Sequence, residues 1–319
     1  MIGLSLSRVS NEYSLIPSIA GIVAIAAIVF STSANAQGIT PSHVFQVVDN
    51  VNGELALMHQ ANGSKGKKDK KAPALNPRKP RHVIQKAREV LLKVQVLRKT
   101  NGLSVNAVPT LPTREIVPAD VKNVVTQILT DLRPLRKPFG VKKASPKSEL
   151  TSGKNPTHVY GNLIKADLLI SGLGIPRVVP NDVYQIGMTI VGDLKLIRKH
   201  VGINEELQMA SPSKRQKPKH VFARGMEVLA AMKALSDANP KFAVPGGIIL
   251  PNDRTGKVTP GHVIDLFNNV LADISAIKAK LGINVPTKLA PVASGKTPSN
   301  VFDAINTALS AVKSLQKLS

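Results

Sequence analysis

The feature that most constrains this chain is a short phrase that occurs eight times. It reads Pro-x-[His/Asp/Asn]-Val, usually followed by an aromatic residue or Ile, and starts at Pro41, Pro80, Pro118, Pro156, Pro180, Pro218, Pro260 and Pro298. Successive starts lie 39, 38, 38, 24, 38, 42 and 38 residues apart. A period of this size marks one supersecondary unit, repeated because a single copy cannot bury its own apolar face. The one short step separates four copies from four.

The phrase reads as a helix start. Proline suits the first helical turn, where its missing N–H would have no partner. Thr40, Asn155, Thr259 and Thr297 stand just before it and can cap free backbone N–H groups. Counting from each proline, apolar residues recur at +3, +7, +10, +14 and +17, as in Val263, Phe267, Val270, Ile274 and Ile277. Alternating steps of four and three form a heptad seam. Extra apolar residues at +4 and +11, such as Phe302 and Leu309, widen the stripe to suit a multi-helix bundle. Glycines at Gly102, Gly140, Gly174, Gly202 and Gly282 mark the helix ends.

The expected fold is therefore all-α, with eight amphipathic helices in two homologous four-helix units, residues 37–175 and 176–319, joined by long connectors rich in Pro and Lys. A superhelical repeat array is the alternative, weakened because the connectors do not read as second helices. Helix direction stays open. A connector of 16 to 20 residues reaches about 50 Å when extended, enough to climb back along a helix of about 30 Å, so parallel and up-down bundles are both allowed. The short link Ile175 to Val179 predicts an antiparallel relation between helices four and five. The apolar run Phe242 to Leu250 is expected to pack in a groove between helices.

Composition narrows the chemistry. The 319 residues include 43 Lys and Arg against 20 Asp and Glu, a net charge of +23. Aromatics make up 3% and Trp is absent, so the core must be aliphatic. With no Cys, disulfides, thiolate metal sites, cysteine nucleophiles and covalent haem attachment are excluded. Residues 1–36 read as a secretory signal: Arg8 in a polar lead, an apolar stretch from Ile16 to Phe30, then Ala34-Asn35-Ala36 ahead of the cleavage point. They imply a bacterial protein of the periplasm or exterior, with no membrane span in the mature chain.

Two sets of residues are candidates for function. Five histidines share the repeat's third position, His43, His82, His158, His220 and His262, with Asp120, Asp182 and Asn300 in the other copies. All three residue types accept hydrogen bonds, which points to helix capping. If the helices run parallel, the same side chains gather at one end, where His and Asp sets bind metal or haem iron. The second set is basic: Lys65, Lys67, Lys68, Lys70, Lys71, Arg78 and Lys79 on one connector and Lys214, Arg215, Lys217 and Lys219 on its counterpart. Arg133, Arg136, Lys137, Lys142 and Lys143 form a third group. Such an excess of one sign attracts polyanions. Stacking aromatics are not interleaved with it, so sequence-specific nucleic-acid recognition is not expected.

Recurring acids at +13, Glu54, Asp131, Asp193 and Asp273, fall on the polar side of the heptad and are expected to be solvated or paired with lysines. No nucleophile, metalloprotease or phosphate-loop motif occurs. The reading is a non-enzymatic exported bundle protein, without a cofactor, that binds anionic envelope material or extracellular polymers, or scaffolds other envelope proteins. A periplasmic metal or haem carrier is the alternative, and an enzyme the least favoured.

Overall fold

The computed structural model describes residues 38–63, 75–254 and 256–318. Residues 1–36, read above as a secretory signal, and Lys65, Lys67, Lys68, Lys70 and Lys71 lie outside the described residues. Eight α-helices are described, each opening on a repeat proline: α1 (Pro41–Ala61), α2 (Pro80–Thr100), α3 (Pro118–Leu132), α4 (Pro156–Ser171), α5 (Pro180–His200), α6 (Pro218–Ala238), α7 (Pro260–Lys280) and α8 (Pro298–Gln316). The described residues contain no strand. In α3 the α-helix stops early, because Pro134 has no N–H to donate and its ring collides with the preceding turn; the chain continues as a 3-10 turn, Arg133–Arg136.

Helix direction, left open by the heptads, is settled by the prolines. Pro41, Pro80, Pro118 and Pro156, with Val44, Val83, Val121 and Val159, line one small apolar space. Pro180, Pro218, Pro260 and Pro298 line another with Val183, Val221, Val263 and Val301. Four helix starts therefore meet at one end of each set, and all four helices in a set run the same way. In the first set α1 and α2 each pack on both α3 and α4; in the second, α5 and α6 each pack on both α7 and α8. The antiparallel relation expected for α4 and α5 agrees with the α2–α7 contact. Arg81 at the start of α2 meets Asp273 late in α7, and Lys86 further along α2 meets Asp265 early in α7, so the two sets run in opposite directions. Helices α4 and α5 themselves are not a packed pair, since the link between them joins the two sets.

Parallel helices in register stack their heptad positions as layers, and every side chain at +3, +10, +14 and +17 is buried in one of two separate apolar cores. The +7 layer shows how packing is tuned. In α1–α4 it holds Val48, Ala87, Val125 and Leu163. In α5–α8 it holds Gly187, Gly225, Phe267 and Ile305; the Phe267 ring fills the room that two missing side chains leave, and a Cβ at Gly225 would stand 3.2 Å from it.

A parallel bundle requires each connector to return the length of a helix, and its backbone polar groups must find partners on the way. Helix side chains supply them. The connector from α3 to α4 climbs α1: Ser145 N–H donates to Glu54 (3.1 Å), Ser148 N–H to Asn50 (2.7 Å) and Lys154 N–H to Ser42 (3.1 Å). Gly53 lets it lie close, since a Cβ there would overlap the Ser145 hydroxyl. The connector from α7 to α8 climbs α5 in the same way, with Ala290 N–H on Thr189 (2.9 Å) and Lys296 N–H on Asn181 (2.8 Å). The connector from α5 to α6 climbs α8, with Ala210 N–H on Thr307 (2.9 Å) and Ser213 N–H on Asp303 (3.0 Å). Phe242, Val244 and Ile248 of the α6–α7 connector are buried in the second core.

Phe267→Ala is expected to cost about 3–5 kcal/mol in a denaturant titration, since three of the four +7 positions would then lack a large side chain. A loss below about 1 kcal/mol would mean that the layer is not packed as described.

Candidate functional site

The third repeat position meets its partner in every copy. The backbone N–H of the residue before each proline donates to His43 Nδ1 (3.1 Å), His82 Nδ1 (3.1 Å), His158 Nδ1 (3.1 Å), His220 Nδ1 (3.2 Å) and His262 Nδ1 (3.2 Å). Asp120, Asp182 and Asn300 accept the same bond at 2.9 Å. Asn155 and Thr259 complete the reciprocal half of a capping box. The parallel order does bring the histidines to a common end, but each Nδ1 lone pair is engaged by its own helix. Among the described residues no group of three or more His, Asp or Glu is placed to hold a metal ion. What the five histidines are seen to do is accept the backbone N–H at their own helix starts.

The acids at +13, expected to be solvated or paired with lysines, are not solvated, and one of them has its lysine. Glu54, Asp131, Asp193 and Asp273 are all buried, because the connectors cover the flank of the helix on which they stand. Glu54 on α1 receives Arg136 from the end of α3, and Asp193 on α5 receives Lys278 Nζ from α7 at 2.7 Å, the same bridge in each half. Asp131 accepts from Gln95 (2.7 Å) and from Asn106 of a connector (2.6 Å). A signal was available in the sequence: the four acids sit only on the odd-numbered helices, and the cations Arg136 and Lys278 both stand at +18.

Asp273 belongs to a third feature that the periodicity did not disclose, a charged contact between the two bundles where α2 packs on α7. Arg81 donates to Asp273 (2.7 Å) and to the carbonyls of Pro245 (2.9 Å) and Gly247 (2.6 Å). His82 Nε2 stands 3.2 Å from the same carboxylate. Lys86 meets Glu89 (3.2 Å), Asp167 of α4 (3.0 Å) and Asp265 of α7 (2.8 Å), while Lys93 meets Glu89 (2.9 Å) and Asp167. Burial opposes the charge on Lys86, but the three carboxylates outweigh it and hold its pKa well above the usual lysine value. Burial and the neighbouring acids push Glu89 up, against the pull of Lys86. Asp167 is drawn down by the two lysines despite its burial. Burial and Asp265 push the Tyr160 phenol up to about 12.

The basic candidates divide. Arg78 is buried, its guanidinium 4.8 Å from the Tyr160 ring centre and 3.4 Å from Asn269, so it is a junction residue and not a free cation. Lys79 caps α2, half-buried beside Gly246. Lys214, Arg215, Lys217 and Lys219 are exposed, as are Arg133, Lys137, Lys142 and Lys143. Arg215 holds φ +57, while Gly153 and Gly295 take the left-handed conformation at the same distance before their prolines. Compared with known proteins, the chain matches no family model, no curated protein sequence and no solved structure.

Two outcomes follow for the capping and charge network. Burial, helped by Arg81 and Arg78 and opposed by Asp273, lowers the His82 pKa below 6.5, and burial with Arg254 does the same at His262. The unfolded chain then binds protons that the folded one does not, so stability present above pH 6.5 is lost as pH falls toward the folded pKa values. His82→Asn keeps the cap acceptor, as Asn300 does, and is expected to flatten the fall in Tm between about pH 7.5 and about pH 5; equal slopes in the two proteins would contradict this. Asp193→Ala leaves the Lys278 ammonium buried without its carboxylate and should cost about 3–5 kcal/mol, measured by chemical denaturation.

Proposed function

We propose that this is an exported, non-enzymatic protein that binds anionic polymers or surfaces of the cell envelope or exterior through its basic outer face. The observation that carries the reading is where the excess cations stand, on exposed connectors rather than in the buried bridges. Glu54, Glu89, Asp131, Asp167, Asp193 and Asp273 are engaged in buried or largely covered bridges, and Asp120 and Asp182 cap helices. Arg81, Lys86, Lys93, Arg136 and Lys278 are covered along with them, so these bridges take both signs off the surface in nearly equal number. The connectors meanwhile present Lys142, Lys143, Lys214, Arg215, Lys217 and Lys219 to solvent. The outer surface therefore keeps the positive excess that the net charge of +23 implies. Export rests on residues 1–36, and no described helix is long and apolar enough to cross a membrane.

Arg215 supports the same reading. A left-handed backbone costs a non-glycine residue about 1–2 kcal/mol, and two other connectors place Gly at this point. Keeping an exposed Arg there at that cost fits a side chain that contacts a ligand. Arg215→Gly is expected to raise stability by about 1 kcal/mol and to weaken polyanion binding.

The direct experiment is a salt titration on immobilised heparin. Tight retention at low salt that falls steeply with added salt is expected, because binding driven by charge releases counterions. Absence of retention at low salt overturns the proposal.

A further inference from the structure

The two bundles end alike in backbone but not in charge, and the difference selects a docking surface. Around the proline end of the second bundle stand Arg177, Lys214, Arg215, Lys217, Lys219 and Lys257, all exposed. Every one lies within four residues of a proline that lines the shared apolar space there. Lys296 adds its ammonium 4.6 Å from the Tyr184 ring. Two acids of this end, Asp182 and Asp303, accept backbone N–H groups of Val179 and Ser213. Fewer cations are free at this end of the first bundle: Arg78 and Arg81 are buried at the junction and Arg114 is paired with Asp120 at 2.8 Å, while Lys154, 4.7 Å from the Phe45 ring, is the counterpart of Lys296.

The middle of the charged end is apolar. Four half-buried prolines surround a space lined only by proline and valine, and Val179 beside them is 45% exposed. A ring of cations around an apolar tip matches a bilayer surface of anionic lipid, which offers negative headgroups with an acyl boundary beneath them. A dissolved polyanion would use the cations and leave the apolar tip in water.

We propose that the proline end of the second bundle is a docking face for an anionic lipid surface, with Lys214, Lys217, Lys219 and Lys257 meeting the headgroups and Val179 and the four prolines resting at the interface. The proposal rests on the polyanion-binding reading above and adds a partner and a face to it.

The full chain is tested by co-sedimentation with vesicles of phosphatidylcholine, with and without phosphatidylglycerol, beside the heparin column. One variant reverses Lys214, Lys217, Lys219 and Lys257 to Glu; a control reverses the exposed Lys99, Lys137, Lys142 and Lys143 of the first bundle. Circular dichroism melts confirm that both fold, and a variant that fails to fold is replaced by the matching Lys→Gln set. Binding only to the phosphatidylglycerol vesicles is expected, with a loss of at least about tenfold in the first variant and a clearly smaller loss in the control. The chain has no native cysteine, so an environment-sensitive dye can be placed at Val179→Cys, with Leu150→Cys on the first bundle as reference. The dye should brighten with anionic vesicles at the first position alone. Equal losses in the two variants, or no brightening at Val179→Cys, overturn the proposal. Heparin retention without vesicle binding overturns this inference but leaves the polyanion reading, and failure of both removes both.

Discussion

Four parallel helices cannot be joined by tight turns. Each connector must travel the length of a helix, and its amides must then be satisfied along the flank of the bundle. That requirement explains much of what the heptads do not. It accounts for Asn50, Asn181, Thr189 and Asp303, polar side chains that receive connector N–H groups. It accounts for the buried acids at +13, which sit where a connector covers the helix side. It also explains the proline phrase, because a connector arriving at the shared end must turn sharply into the next helix, and the His, Asp or Asn acceptor fixes that turn. Parallel alignment collects the positive ends of four helix dipoles together, an arrangement offset at the far end by cations in the last turns such as Arg98, Arg198 and Lys278.

The junction between bundles follows a different logic. Each bundle closes its own aliphatic core, and the surfaces that meet are charged. Lys86 with its three carboxylates, and Arg81 with Asp273, leave few alternatives for register, since a shifted α2 would bury an uncompensated charge. Such a contact specifies geometry more than it adds stability.

Much of the fold was legible because its rules are local. The eight helix starts fall on the eight prolines, and the seam from Val44 to Met58 or from Val301 to Leu315 is buried as its period requires. Direction was not legible, because a heptad pattern is the same whether the neighbouring helix runs up or down; only the meeting of the prolines decides it. The histidines were read correctly as acceptors, from their exchange with Asp and Asn. The cover over Arg78 and the +13 acids was not legible, because the segments that provide it have no period of their own, although the lysine partner expected for these acids is present at Asp193. The α2–α7 contact left no sequence signal, since Lys86 and Asp265 look like ordinary surface residues of two amphipathic helices.

The parallel order is the claim on which the rest stands, and distance measurement between spin labels tests it most directly in a chain without cysteine. Labels at Thr40→Cys and Val117→Cys flank the starts of α1 and α3, which pack on each other. The account predicts a separation near one interhelix spacing of about 10 Å plus the label arms, and a much longer distance from Thr40→Cys to Lys137→Cys. A separation of about 30 Å for the first pair, with the second pair close, would be the signature of an up-down bundle and would contradict it.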